Sequence, residues 1–171
     1  GEPLAFEVLL DSASMERVTL PFVKNLERLG IEVSVRTVDP TQYQNRVQAF
    51  DFDMIAERIG QSLSPGNEQR DYWGCEAADT PGSQNYAGIC NPAIDALVEQ
   101  VVRAPSREAL VTRARALDRA LLWGFYVVPH WYAGSFRLVY WDKFGRPPRT
   151  PPYGLALDTW WVVPEKARAI E

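Results

Sequence analysis

Hydrophobic and polar positions change period several times along the chain, and each change predicts an element. From Leu4 to Leu10, Phe6, Val8 and Leu10 alternate with their neighbours, the two-residue repeat of a strand. Ser12 or Ser14 can cap the next segment, with Glu16 in its first turn. Val18, Phe22, Leu26 and Leu29 then recur at helical spacing until Gly30 supplies a stop, and Pro21 should bend that helix. Ile31, Val33 and Val35 alternate with Glu32, Ser34 and Arg36, as in a half-buried strand. Asp39-Pro40 combines a capping carboxylate with a first-turn proline and predicts a helix to about Ala49; Phe52 to Ile55 predicts a third strand. A strand-helix-strand-helix-strand order implies parallel pairing with helices packed on the sheet, a mainly parallel α/β architecture in three layers.

The pattern changes between Gly60 and Pro92, which is rich in Gly, Pro, Ser, Asn, Gln and Asp, with Tyr72, Trp73 and Tyr86 interspersed. A connection of that length implies a functional loop, here with one short helix near Glu68 to Trp73. Asn91-Pro92 opens a further helix carrying Ile94, Leu97, Val98 and Val101 on one face. Ser106 caps a longer one striped with Leu110, Ala114, Leu117 and Leu121, so two antiparallel helices joined near Pro105 are expected. Tyr126 to Tyr132 and Phe136 to Trp141 read as extended segments. Arg-Pro-Pro-Arg-Thr-Pro-Pro after Gly145 is a stiff run, and Thr159 to Val163 is strand-like. Three Trp between 141 and 161 are more than a free tail should expose, so this Trp-rich extended tail is expected to pack on something.

Composition narrows the function. The chain has 171 residues, 46% of them hydrophobic and 23% charged, enough for one domain with a core. A net charge of −4 argues against a nucleic-acid partner, which requires clustered Lys and Arg. No apolar run reaches the ~20 residues that cross a bilayer, so any membrane association should be peripheral. Gly1-Glu2-Pro3-Leu4 lacks Met and any signal-peptide pattern, and position 1 is expected to be a processed or cut end.

Cys75 and Cys90 either form a disulfide, in an oxidising compartment, or remain two thiols; with His130 as the single His, the usual four-ligand zinc set is incomplete and no metal or cofactor is expected. A hydrolase built on Ser62 and His130 lacks the second glycine of a nucleophile elbow in Gly60-Gln61-Ser62-Leu63-Ser64. Asp51 and Asp53 should share one side of a strand, as solvated strand ends for at least one of them. No phosphate-cradling glycine motif is present. The chemistry is that of binding without turnover.

Several stretches together resemble the C-terminal half of the family 5 extracellular solute-binding proteins of ABC importers. They are Leu26-Glu27-Arg28-Leu29-Gly30-Ile31-Glu32-Val33, Phe52-Asp53-Met54, Asn91-Pro92-Ala93-Ile94-Asp95-Ala96-Leu97 and Val128-Pro129-His130-Trp131-Tyr132. Phe50-Asp51-Phe52-Asp53-Met54-Ile55 and the run from Gln61 to Arg70 resemble the YejA-like branch. The resemblance implies a periplasmic binding protein with two lobes that close on a peptide or peptide-like ligand and deliver it to a membrane permease, without catalysis. Residues 1–136 would form part of the second lobe, and 137–171 would cross back and pack on the first. Open α/β sheets place ligands at strand carboxyl ends, so Arg58, Gln61, Ser62, Ser64, Asn67 and Trp131 are the expected ligand contacts. Where classical oligopeptide binders carry a Trp and an amine-pairing Asp, this chain has Ile59 and Ser62, so the amine must be met elsewhere or the solute is of another kind, such as a nickel complex, a glycoside or a nucleotide-peptide antibiotic. A non-catalytic protein-interaction module is the reading from a different class.

Overall fold

The central element is the strand β1 (Ala5–Leu10), which pairs in parallel with β2 (Glu32–Thr37) on one side and β3 (Met54–Ile55) on the other. The computed structural model describes residues 3–130, 132, 134–151 and 154–170, and divides into two compact units, 1–128 and 129–171. In the first unit the strand order is β2-β1-β3, with Val8 opposite both Val35 and Met54. The chain therefore leaves β1 in one direction and returns across it to reach β3. Right-handed crossovers in opposite directions place α1 (Ala13–Glu27) and α2 (Pro40–Gln48) on opposite faces of the sheet. Both faces of β1 are thus covered, and Val8, Leu9 and Leu10 are consecutively buried, at 3%, 0% and 1% exposure. The alternation of Phe6, Val8 and Leu10 marks only one of those faces; Leu9 fills the other, against Tyr43 and Val47 of α2.

Local chemistry sets the element ends. The Asp39 carboxylate accepts the Thr41 and Gln42 N–H groups, each at 3.0 Å, and Pro40 occupies the first turn, where no N–H is needed. Ser12 is at the cap of α1 but makes no capping bond; its hydroxyl meets that of Ser14 at 3.2 Å. α1 is continuous across Pro21. Gly30, at φ 78°, ends the turn in a conformation L side chains avoid, and the Ile31 N–H folds back to the Leu26 carbonyl. Asp51 and Asp53 precede the short β3 rather than lying in it, and both are used structurally. Asp53 accepts the Glu7 N–H at 2.9 Å, and Asp51 pairs with Arg46, which also reaches Glu7.

A helical layer completes this unit: α3 (Glu68–Trp73), α4 (Cys75–Ala78), α5 (Pro92–Val102) and α6 (Arg107–Trp123). Asn91 caps α5 through Ala93 N–H at 2.9 Å, and Ser106 caps α6 through Ala109 N–H at 3.2 Å. Ile94, Val98 and Val101 of α5, Leu117 of α6 and Ile89 form a second core, with Trp73 packed against it. The second unit contains β4 (Phe144–Gly145), paired antiparallel with β5 (Trp161–Val162), a 3₁₀ turn at Leu157–Thr159, and α7 (Pro164–Arg168). A Cβ on Gly145 would strike the Trp161 ring, and Trp160 meets Tyr140 edge-on at 5.0 Å. The extended segments expected over 126–132 and 136–141 join no sheet among the described residues.

Two substitutions measure this scaffold. Leu9→Ala should cost roughly 2–5 kcal/mol, because a fully buried side chain between two helix-covered faces leaves a cavity, and Asn91→Ala about 1 kcal/mol through its cap. Urea unfolding of both variants checks the ranking.

Candidate functional site

Where the direction of chain progression reverses across a parallel sheet, the loops leaving adjacent strands diverge and open a crevice at the carboxyl ends. Here that point is between β1 and β3. Asp11 follows β1, and Ala56 and Glu57 follow β3. Tyr43, 8% exposed, reaches up from α2 and donates its hydroxyl proton to the Ala56 carbonyl at 3.3 Å. Tyr86 packs on the cluster formed by Leu9, Tyr43 and Val47. Burial pushes the Tyr43 phenol far above its ordinary range, and the negative charges of Glu57 and Asp11 push it further. Burial also raises Tyr86, with Glu57 and Asp71 adding to it. Two neutral phenols therefore stand near three carboxylates, Asp11 and Glu57 just past strand ends and Asp71 on α3.

The loop from Gly60 to Asn67 leaves this crevice and lies exposed along α3. It is held by its own polar groups. Tyr72 donates to the Gly60 carbonyl at 3.3 Å. The buried Gln69 donates to the Gln61 carbonyl oxygen at 2.8 Å and accepts the Trp73 indole N–H at 3.0 Å. Glu68 accepts the Gly66 N–H at 2.7 Å; burial opposes its ionisation, but this bond, its own N–H and Gln69 together hold its carboxyl below the usual range. Arg107 of α6 donates to the Leu63 carbonyl. Arg70 binds Glu99 of α5 through two bonds, at 2.5 and 3.0 Å, and Asn67 at 2.8 Å.

This geometry separates the expected ligand contacts. The Gln61 carbonyl oxygen and the Asn67 side-chain oxygen accept bonds from Gln69 and Arg70, and the Ser62 hydroxyl accepts the Ser64 N–H at 3.0 Å. These groups shape the loop. Ser64 lines a depression of about 340 Å³ with Pro65, Pro105 and Arg107, at the turn between α5 and α6. Arg58 is exposed beside Glu57, whose carboxylate accepts the Arg58 N–H at 2.9 Å. Trp131 lies outside the described residues. Sequence reasoning passed over Asp11, Tyr43, Glu57 and Asp71; the signal that could have found Asp11 and Glu57 was their place just past strand ends, whereas Tyr43 and Asp71 lie within helices and carry no such mark. Among the described residues no three His, Cys, Asp or Glu side chains converge as metal ligands, and no helix is long and apolar enough to cross a membrane.

No family model matches the chain. An uncharacterized protein of Sinorhizobium fredii is 54% identical over 162 residues, which are 94% of this chain and 24% of that protein. A probable peptide-binding protein YejA of Agrobacterium fabrum is 50% identical over 162 residues, 94% of this chain and 26% of that protein. Nearly the whole chain is similar to part of the proteins named YejA in Agrobacterium fabrum and Escherichia coli, at 50% and 39% identity. It spans about a quarter of the length of the relatives it matches. Among solved structures, the oligopeptide-binding protein AppA from Bacillus subtilis, in complex with a nonapeptide, superposes with a TM-score of 0.70 at 16% identity, over 95% of this chain and 32% of that one. At that identity the likeness is one of fold, that of a periplasmic-binding-protein lobe.

The buried phenols give this site a pH signature. Tyr43 ionises less readily in the folded chain than in the unfolded one, so its contribution is intact below about pH 10, the ordinary tyrosine pKa. Stability falls as pH climbs beyond that point, because the unfolded chain releases a proton the folded chain keeps. Tyr43→Phe should flatten the alkaline decline in melting temperature while costing roughly 1 kcal/mol at neutral pH through the lost Ala56 bond.

Proposed function

We propose that this chain supplies one wall of the ligand site in the substrate-binding component of an ABC import system, which takes peptides or peptide-like solutes by lobe closure and does no chemistry on them. The protein works in the periplasm and hands its ligand to a membrane permease. The observation that carries this reading is the grouping beyond the ends of β1 and β3, where Tyr43 binds the Ala56 carbonyl and Asp11, Glu57 and Asp71 act on the phenols of Tyr43 and Tyr86. Those carboxylates receive the ligand's ammonium group and take over the charge that Ser62 cannot supply. The paired loop from Gly60 to Asn67 forms the rim beside them.

Residues 1–136 then make up part of one lobe, and residues 137–171 pack against the remainder of a relative-length protein. In support of this, Val139 is fully exposed, and Trp141 and Trp161 are 72% and 53% exposed. A unit this small buries too little surface to be stable without further cover.

The test is native mass spectrometry of the full-length protein with an equimolar tri- to pentapeptide library, followed by calorimetry with the peptide retained best and its N-acetylated form. The free peptide should bind, acetylation should weaken it, and Glu57→Gln should cost roughly tenfold or more, the scale of a charge-assisted hydrogen bond. Retention of no peptide would overturn the reading. Equal binding of the acetylated form would remove the amine from it and point to another class of solute.

A further inference from the structure

The segment from Cys75 to Cys90 touches both cores of the first unit, and the strand-end site uses only one of its residues. The two cysteine sulfurs are bonded to each other, and Cys90 is exposed to solvent. Asn85 is fully buried, at 0% exposure. Its amide nitrogen donates to the carbonyls of Gly74 (3.0 Å) and Ile89 (2.8 Å), and its oxygen accepts the Ile89 N–H at 2.9 Å. Gly74 and Ile89 each directly precede a cysteine, so the buried amide and the disulfide tie together the same two stretches of chain. Ile89 is 1% exposed in the core of α5 and α6, whereas Tyr86, three residues earlier, packs on the sheet cluster. The loop is anchored at its start and near its middle as well. Cys75 N–H donates to Asp95 of α5 at 2.9 Å, and Gly82 N–H donates to the Gln48 carbonyl at the end of α2 at 3.0 Å.

We propose that Tyr86 is a specificity-determining residue of the strand-end site and that the Cys75–Cys90 disulfide positions it, so that reducing the disulfide loosens one wall of the site without unfolding the lobe. The role of Tyr86 toward ligand rests on the peptide-binding reading above; the positioning by the disulfide does not. The reductant is a dithiol. It reduces the bond by two electrons, each sulfur gains a proton, and the dithiol becomes a cyclic disulfide. Freed of the cross-link, the loop regains chain entropy between its ends. The Gly82 bond to Gln48, the three Asn85 bonds and the buried Ile89 remain, which confines the loosening to the stretch between Gly82 and Ile89. Tyr86 lies within that span and is held on the sheet side by side-chain packing.

The experiment compares oxidised and dithiothreitol-reduced full-length protein, alongside a Cys75→Ser/Cys90→Ser variant, by hydrogen exchange and by calorimetry with the library peptide retained best. Reduction, or the double substitution, should speed exchange over residues 82–88 by roughly tenfold while β1 and α5 keep their protection. It should weaken peptide binding by roughly tenfold, the effect of losing one well-packed aromatic contact. Tyr86→Ala should show the same loss and no further response to reduction, whereas Tyr86→Phe keeps both affinity and redox response. Unchanged exchange over 82–88 overturns the positioning role, as does loss of protection throughout α5 and β1, which would make the disulfide a staple of the whole lobe. Faster exchange with unaltered affinity, or a redox response that persists in Tyr86→Ala, removes Tyr86 from the site. If the oxidised protein retains no peptide, the ligand role of Tyr86 falls with the peptide reading, and the exchange result alone decides the positioning.

Discussion

Everything in the first unit depends on β1 being buried on both faces. A strand with Val8, Leu9 and Leu10 at 3%, 0% and 1% exposure requires a helix on each side. With right-handed crossovers, that requires the chain to pass β1 in opposite directions before and after β2. The same reversal that covers the sheet opens the crevice at its carboxyl edge. Core and site are therefore one geometric consequence of the β2-β1-β3 order. Tyr43 embodies the link, since its ring belongs to the core cluster and its hydroxyl binds the first residue after β3.

The ion pairs around Glu7 serve that geometry from the other end. Glu7 of β1 meets Arg36 of β2 at 2.6 Å and Arg46 of α2 at 3.3 Å, and Arg46 meets Asp51 just before β3. Exposed pairs of this kind contribute about 0–1 kcal/mol each. Their value lies in register, because one network spans all three parallel strands. The two-residue β3, too short to define its own pairing, is fixed by the Asp53 bond to Glu7 N–H as much as by its ladder.

Caps, periodicity and turn chemistry made most of this scaffold legible before any coordinates. Asp39, Asn91 and Ser106 each open a helix through the side-chain bond their residue types suggest, and the short helix at Glu68–Trp73 stands where it was expected. The stretches from 126 to 141, expected to be extended, join no ladder among the described residues; apolar, β-branched and aromatic content becomes a strand only where a partner completes the ladder. Resemblance pointed to the carboxyl edge of the sheet and to polar loop side chains, several of which are bonded within the loop. Polar residues in a loop look like donors for a ligand; whether they already serve the loop depends on contacts such as Gln69 with Gln61, eight residues apart, which no local pattern reveals.

That internal pairing bears on how the site recognises anything. A loop whose Gln61, Ser62 and Asn67 are satisfied by Gln69, Ser64 and Arg70 holds its shape without ligand. Pre-organisation of this kind lowers the entropic cost of binding. A group already bonded gains little by exchanging partners. The carboxylates of Asp11, Glu57 and Asp71 act differently: they disfavour ionisation of the Tyr43 and Tyr86 phenols, which therefore stay neutral beside them.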